Sequence, residues 1–206
     1  MDLAKNAYIF GAGEFFGLHK PPDENSVVIA ADGGLRYAEE CGLTADFTVG
    51  DFDSLGYVPH GKNVSVLPVQ KDTTDLYEAV RIGAAQGCTL FHLYGGTGGR
   101  FDHTVANLSL LGGMAKEGFC GFLYGDGYVI TTAFPENPLI LNDGKDAGIS
   151  VFSLSDRSEG VTLRGLLYPL ENGTLTNTFP LGVSNQKTEE TAEISVKSGI
   201  LLVYYT

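Results

Sequence analysis

Cysteine is scarce in this sequence: only Cys41, Cys88 and Cys120 occur, far apart and with no C-x-x-C spacing. The odd count excludes a complete disulfide framework, and the missing paired spacing excludes a structural zinc site. A reducing cytoplasm is the compartment such a chain fits. Long apolar runs are missing too, since no segment approaches the roughly 20 residues that a membrane helix needs. The opening "MDLAKNAYIFGAGEFFG" has an apolar run broken by Gly and Glu, which reads as a first strand rather than a signal peptide. Basic residues are also few. Lys plus Arg number 13 against 25 Asp plus Glu, a net charge of −12, which opposes binding to nucleic acid or to anionic membranes. An acidic chain still binds a small anion where a divalent cation neutralises local carboxylates. A bound phosphate therefore predicts a metal.

What is present is a chain of 206 residues with 43% hydrophobic content, enough for one large or two modest cores. In the first part, β-type runs alternate with helix-type segments. "AYIFGAG" leads into a loop, "SVVIAAD" into "GGLRYAEECG", "ADFTVGD" into a loop, "VSVLPV" into "DTTDLYEAVRIGAAQG", and "TLFHLYGG" into "FDHTVANLSLLGGMAKEG". These strands are continuous apolar runs, the pattern of a parallel sheet covered on both faces. The expected fold class is α/β, a doubly wound and mostly parallel sheet with helices on both faces. After about residue 125, turn signals such as "PENP", "NDGKDAG", "SDRSEG" and "ENGT" separate short strands "GISVFSL", "GVTLRGL", "AEISVKSG" and "ILLVYYT". An antiparallel β-sandwich is the natural reading. The expected domains are therefore 1–125 and 126–206, with no Pro- or Ser-rich linker between them.

In an open parallel sheet, ligands gather beyond the carboxyl ends of the strands, and the polar clusters fall there. Asp32-Gly33-Gly34 follows "VVIAA", and "TVGDFDSLG" carries Asp51 and Asp53 two positions apart. Alone, that pair reads first as a turn in which one Asp caps the backbone. In an extended segment, however, residues i and i+2 project to the same side. Both carboxylates then suit one Mg²⁺, whose preference is for hard oxygen ligands. In "VQKDTTDLYEAV", Thr73 and Thr74 are good N-cap residues and Asp75 falls in the first turn of a helix. Lys71 is a phosphate contact by type, and Asp72 or Asp75 a further metal ligand.

"YGGTGGRFDH" is a glycine-rich loop before a helix whose N-cap is Asp102 or Thr104. Glycines let the backbone approach an anion, and Arg100 offers a guanidinium fork. His103 reads as an ordinary first-turn residue. Gly11-Ala12-Gly13 begins like a dinucleotide fingerprint, but the next glycine, Gly17, falls one position late. Asn107-Leu108-Ser109 matches a glycosylation pattern that has no meaning in a cytoplasmic chain. Neither a G-x-S-x-G elbow nor a Cys/His arrangement is present.

The ordered set "ADGG", "GDFDS", "KDTTD" and "GGTGGRFDH", followed by "GVSN" in the β-rich part, resembles the thiamine pyrophosphokinase (thiamin diphosphokinase) family over essentially the whole chain. The resemblance implies an N-terminal domain that binds ATP and Mg²⁺, a C-terminal β-sandwich, and a homodimer with thiamine held at the subunit interface. It implies transfer of the pyrophosphoryl group of ATP to the thiamine hydroxyl, giving thiamine diphosphate and AMP. It places Asp32 and Gly33 at the ATP cleft, with Asp51, Asp53 and Asp75 around Mg²⁺ and the phosphates. Lys71, Asp72, Arg100 and Asp102 line the same cleft. The chemistry of the transfer itself calls for a base for the hydroxyl proton, and Asp75 or Asp102 is the expected acceptor. Asp102, Ser184 and Asn185 take thiamine, the last two as the family's "SN" element. Some members stack a tryptophan on the substrate, and this chain has none, so a Tyr or Phe must serve. A metal-dependent nucleotide-sugar glycosyltransferase and a non-catalytic nucleotide- or thiamine-binding module are the competing readings.

Overall fold

The computed structural model describes residues 5–61, 63–70, 72–142 and 147–206. The chain divides into two compact units, the first comprising Met1–Leu110 with Gly121–Asp126, and the second Leu111–Cys120 with Gly127–Thr206. In the first unit, β1 (Lys5–Phe10) and β2 (Val27–Ala31) precede α1 (Leu35–Glu40), and β3 (Phe47–Gly50) and β4 (Val64–Val66) precede α2 (Asp75–Ala85). Then follow β5 (Cys88–Tyr94), the long helix α3 (Phe101–Lys116) and β6 (Cys120–Gly125); the stretch Leu111–Cys120, which holds the end of α3 and the first residue of β6, counts with the second unit.

The strands lie in the order β6, β5, β1, β2, β3, β4. β1 is parallel to both β2 and β5, β2 to β3, and β3 to β4. The chain therefore moves outward from β1 to β4 and then crosses back to the other side of β1. That reversal opens a crevice beyond the carboxyl ends of β1, β2 and β5. Val27–Ala31 is buried throughout, as the continuous apolar run requires of a strand covered on both sides.

The two faces are covered differently. Gly83 of α2 lies against Phe91, Ala7 and Ile29, so α2 packs on the face to which those residues point. Leu35 of α1 shares a cluster with Ala30, Phe52 and Leu55, and Ala30 pairs in register with Phe10, whose side chain points to the opposite face. Beyond α1, that opposite face carries a ladder of rings. Tyr8 stacks on His92 at 4.5 Å, Tyr94 on Tyr124 at 4.5 Å and Tyr94 on Phe10 at 5.3 Å. The helix-free connection from β1 to β2 touches this ladder, with Phe15 beside Phe10 and His19 stacked on Tyr124. The Tyr8 hydroxyl donates to Pro21 O at 3.3 Å.

The second unit contains β7 (Tyr128–Ala133), β8 (Leu139–Leu141), β9 (Gly148–Ser153), β10 (Arg157–Arg164), β11 (Leu170–Thr176), β12 (Gly182–Gln186), β13 (Ala192–Ser195) and β14 (Leu201–Tyr205). β12, β9, β14 and β7 pair in that order, all antiparallel. β11, β10, β13 and β8 form a separate antiparallel sheet. Residues of both sheets meet in one apolar cluster, including Ile149, Val151, Leu201 and Val203 from the first and Val161, Leu163, Leu175 and Ile194 from the second. The alternation in β9, with Ile149, Val151 and Ser153 inward, is that of a half-buried strand.

Two expected turns are strand instead. Most of "SDRSEG" belongs to β10 and all of "ENGT" to β11. The β10–β11 ladder absorbs these turn-forming residues as irregularities, with register shifts between Glu159 and Val161 and between Val161 and Leu163. Gly160 has φ +67° and Asn172 φ +50°, so the conformations that favour turns survive inside a bulged pair of strands. Most of "NDGKDAG" lies outside the described residues. Among the described residues, no helix is long and apolar enough to cross a membrane, and all three cysteines are free.

Candidate functional site

The site assembles where the parallel strands end. After β1, the turn Gly11–Glu14 runs beside the glycine-rich loop that follows β5. Gly11 N–H donates to Tyr94 O at 2.8 Å, Gly13 N–H to Gly95 O at 2.8 Å and Glu14 N–H to Thr97 O at 3.0 Å. The two loops are so close that a Cβ on Gly95 would stand 2.2 Å from Gly11 O, and Gly95 itself has φ +63°. Only glycine fits there.

After β2, Asp32 opens a single 3-10 turn, Asp32–Gly34, that leads into α1. Its φ is +50° and it is buried, with Oδ1 enclosed and without a hydrogen-bond partner. An enclosed carboxylate oxygen left unpaired is costly, so a cation is the partner its environment calls for. After β3, Phe52 takes φ +61° and buries its ring in the cluster with Ala30, Leu35 and Leu55. Asp51 and Asp53 therefore flank a left-handed residue rather than alternate along a strand, which ends at Gly50. They converge all the same, because anchoring Phe52 in the core turns both carboxylates outward. Asp32, Asp51 and Asp53 offer ligand atoms that all lie within 4.8 Å of one another. Asp53 N–H donates to Asp51 Oδ1 at 3.3 Å.

At the start of α2, the Thr74 hydroxyl accepts from Tyr77 N–H at 3.2 Å, a side-chain N-cap, and Asp75 occupies the first turn. The Thr73 hydroxyl donates to Glu78 Oε1 at 2.7 Å. On the far side, α3 begins at Phe101, so Asp102 lies within its first turn and Thr104 inside the helix. Neither is the N-cap: Arg100 O accepts from His103 N–H at 3.2 Å and Thr104 N–H at 3.3 Å. The Asp102 carboxylate is taken up instead by the Arg100 guanidinium, through Nη2 at 2.6 Å and Nε at 3.2 Å. That contact holds the Asp102 carboxyl below its ordinary range. The pair is exposed, with 73% and 64% of the side chains accessible, so it adds little stability. Asn107 is buried and donates to Gly96 O at 2.7 Å, which anchors the loop to α3.

These segments enclose a cleft of about 720 Å³. Of the residues singled out in the sequence, Asp32, Asp51, Asp53, Asp75 and Arg100 line it, and so does His103. Gly33, Asp72 and Asp102 are not among its lining residues. Lys71 lies outside the described residues. Ser184 and Asn185 stand on β12 in the second unit. The Asn185 amide is engaged there at both ends: Oδ1 accepts from Tyr168 N–H at 3.0 Å and Gln186 N–H at 2.9 Å, and Nδ2 donates to Tyr168 O at 2.8 Å. Ser184 is exposed with φ +60°, its N–H donating to Ser150 Oγ at 3.1 Å.

Three cleft residues had no signal in the sequence. Glu14 and Tyr37 reach it through folding alone, Tyr37 by stacking on Phe15 and donating to Gly13 O at 2.9 Å. Asn107 sat within a glycosylation-like tripeptide that pointed away from its role. Chemically, the cleft combines an oxygen-only acidic cluster, a guanidinium and a glycine-rich loop at a helix start. Such a set takes a polyphosphate with a divalent cation.

The chain is similar to known proteins over nearly its whole length. Residues 18–120 match the family model described as thiamin pyrophosphokinase, catalytic domain, and residues 139–201 match thiamin pyrophosphokinase, vitamin B1 binding domain. The thiamine pyrophosphokinase of Bacillus subtilis (strain 168) is 28% identical over 187 residues, spanning 88% of this chain and 87% of that protein. A crystal structure of thiamine pyrophosphokinase from Bacillus subtilis superposes with a TM-score of 0.83 at 24% identity, over 98% of both chains. That of thiamin pyrophosphokinase from Candida albicans gives 0.75 at 15% identity, over 98% of this chain and 88% of the other; both likenesses are of fold. Since the catalytic-domain model spans half of the sequence and the vitamin B1 binding model follows it, the chain belongs to the thiamin pyrophosphokinase family.

Proposed function

We propose that this chain transfers the pyrophosphoryl group of ATP to the hydroxyl of thiamine, forming thiamine diphosphate and AMP. The observation that carries the reading is the meeting of Asp32, Asp51 and Asp53 with Asp75, Arg100 and the glycine-rich loop in one cleft. A glycosyltransferase would use Asp51 and Asp53 but leave Arg100 and the loop without a task. A binding module would have no need of so many acids suited to a metal.

In the transfer, the thiamine oxygen bonds to the β-phosphorus, the bond from the β-phosphorus to the bridging α–β oxygen breaks, and AMP leaves with that oxygen. The protein's share is alignment and charge neutralisation. The residues present fit Mg²⁺: Asp32 keeps an enclosed, unpaired Oδ1, and its carboxylate groups with those of Asp51 and Asp53, with no soft ligand among them. Asp32, Asp51 and Asp53 would hold the ion, with Asp75 beside them, and the ion when bound offsets charge on the phosphates. Arg100 takes phosphate oxygens as a fork, with Lys71 as its partner by the family resemblance. Asp75 is the stronger candidate to accept the hydroxyl proton, because Asp102 is already held ionised by Arg100 and stands outside the cleft lining.

Thiamine is taken by β12. Asn185 clamps the backbone of Tyr168 on both sides, and Tyr168 leaves 62% of its surface exposed. In a chain without tryptophan, Tyr168 is the aromatic platform, with Ser184 beside it. The working unit is a cytoplasmic homodimer in which β12 of one copy serves the cleft of the other. The exposed Leu167, Phe179, Leu181 and Val183 around this edge strand are the apolar surface such pairing requires.

The test is direct. Incubation with ATP, Mg²⁺ and thiamine should yield AMP and thiamine diphosphate in equal amounts, resolved by chromatography. ADP with thiamine monophosphate, or no nucleotide turnover, would refute the proposal.

A further inference from the structure

We propose that Glu14 is a positioning residue: it holds the glycine-rich loop, and through it Arg100, in the geometry that receives phosphate. The proposal rests on reading the cleft as the ATP site. It gives the G-A-G-E turn, which failed as a dinucleotide fingerprint, a different task. The amides of Gly11 and Gly13 are not left open for an anion, since they bond to Tyr94 O and Gly95 O. The turn acts as a rail along which the second loop is fastened.

Glu14 is the last fastening point, and it is held at both ends. Its N–H donates to Thr97 O at 3.0 Å, forming an isolated antiparallel bridge. Its carboxylate Oε1 accepts from Gly99 N–H at 3.0 Å across 85 positions of sequence. Gly98, with φ +76°, packs so closely on the side chain that a Cβ there would come within 2.7 Å of Glu14 Cβ, Cγ and Cδ. Gly99 is left-handed as well, at φ +59°. Two consecutive glycines lose more backbone freedom on ordering than any other pair, so an acceptor on the Gly99 amide decides whether this stretch is fixed. The next residue is Arg100, whose carbonyl starts α3. Fixing Gly99 therefore fixes where the guanidinium begins.

Charge sharpens the argument. The cleft already holds Asp32, Asp51, Asp53 and Asp75, and one more carboxylate opposes an incoming triphosphate. The feature the site uses is then the acceptor oxygen of Glu14, not its charge, and a neutral acceptor of the same length serves as well.

The experiment compares wild type with Glu14→Ala and Glu14→Gln, reading steady-state kinetics for ATP and hydrogen exchange of the 95–101 segment. Because the acceptor that fixes the Gly99 amide is lost, Glu14→Ala should raise KM for ATP roughly tenfold with a smaller change in kcat, and should speed exchange in the loop. Glu14→Gln should keep KM within about twofold of wild type and restore slow exchange. In an Arg100→Ala background the effect of Glu14→Ala on KM should shrink, since it acts through Arg100. Unchanged exchange and KM in Glu14→Ala, a lower KM there, or a Gln variant as impaired as Ala would each overturn the proposal. A wild type that forms no product refutes the assigned reaction instead, and the exchange data together with calorimetric binding of Mg-ATP then decide the role of Glu14.

Discussion

Replacing Asp32 with Asn tests the acidic cluster through stability and turnover together. Asn is the right probe because Asp32 sits at φ +50°, a conformation Asn adopts readily and Ala does not. The ligand atoms lie within 4.8 Å of one another, and at that outer limit Coulomb's law gives about 3.5 kcal/mol per like-charged pair at an effective dielectric of about 20, and about 0.9 kcal/mol in water. Asp51 is half-buried and Asp53 exposed, so the lower figure governs, and Asp32 meets two such neighbours. Removing its charge should then stabilise the metal-free protein by roughly 1–2 kcal/mol, or about 2–8 °C in Tm for a chain of this size. The new amide also donates to the remaining carboxylates. Added Mg²⁺ should raise the Tm of wild type and leave the variant nearly unmoved, and formation of thiamine diphosphate should fall by on the order of 100-fold or more. Differential scanning fluorimetry with and without Mg²⁺, alongside the product assay, measures all three. A metal-free variant less stable than wild type, or one that Mg²⁺ stabilises as strongly, would refute the reasoning.

The remaining predictions probe the supports of the site. Burial pushes the His92 imidazole down from 6.5 to about 4, with the Lys20 charge a smaller cause. The unfolded chain therefore binds the extra proton first, so stability should fall as pH drops from 6.5 towards 4, by about 3 kcal/mol in total. Denaturant titrations across that window should show the slope, and His92→Gln should flatten it. Thr74→Ala removes the cap of α2 and should cost about 1 kcal/mol, read as a lower urea midpoint. Tyr168→Ala should raise KM for thiamine roughly tenfold while Tyr168→Phe retains it, since the ring face and not the hydroxyl is used. Equal KM values in both variants would place the aromatic platform elsewhere.

Much of the first unit was legible because its signals are local. Continuous apolar runs such as "VVIAA" become buried parallel strands, and Thr74 caps the helix its position promised. Antiparallel pairing of the second unit followed from recurrent turns, but "ENGT" became strand because its cross-chain ladder with β10 outweighed its turn preference. The ordered motifs identified the family. The acidic pair was found for an incomplete reason, since Asp51 and Asp53 converge around a left-handed, buried Phe52 rather than by strand alternation. Asp32, expected in the ATP cleft, joined the pair only when its carboxylate could be seen within 4.8 Å of theirs.

By itself, then, the sequence determined the strand and helix segments of the first unit, the acidic strand ends and the reaction class, because periodicity, capping and motif order act over a few residues at a time. The tertiary structure alone decided which carboxylates converge, that Asn185 holds the backbone of Tyr168, and that Glu14 meets Gly99. Those pairings join residues far apart in the chain. They exist only once the sheet has brought the strand ends together, and no local pattern encodes that distance.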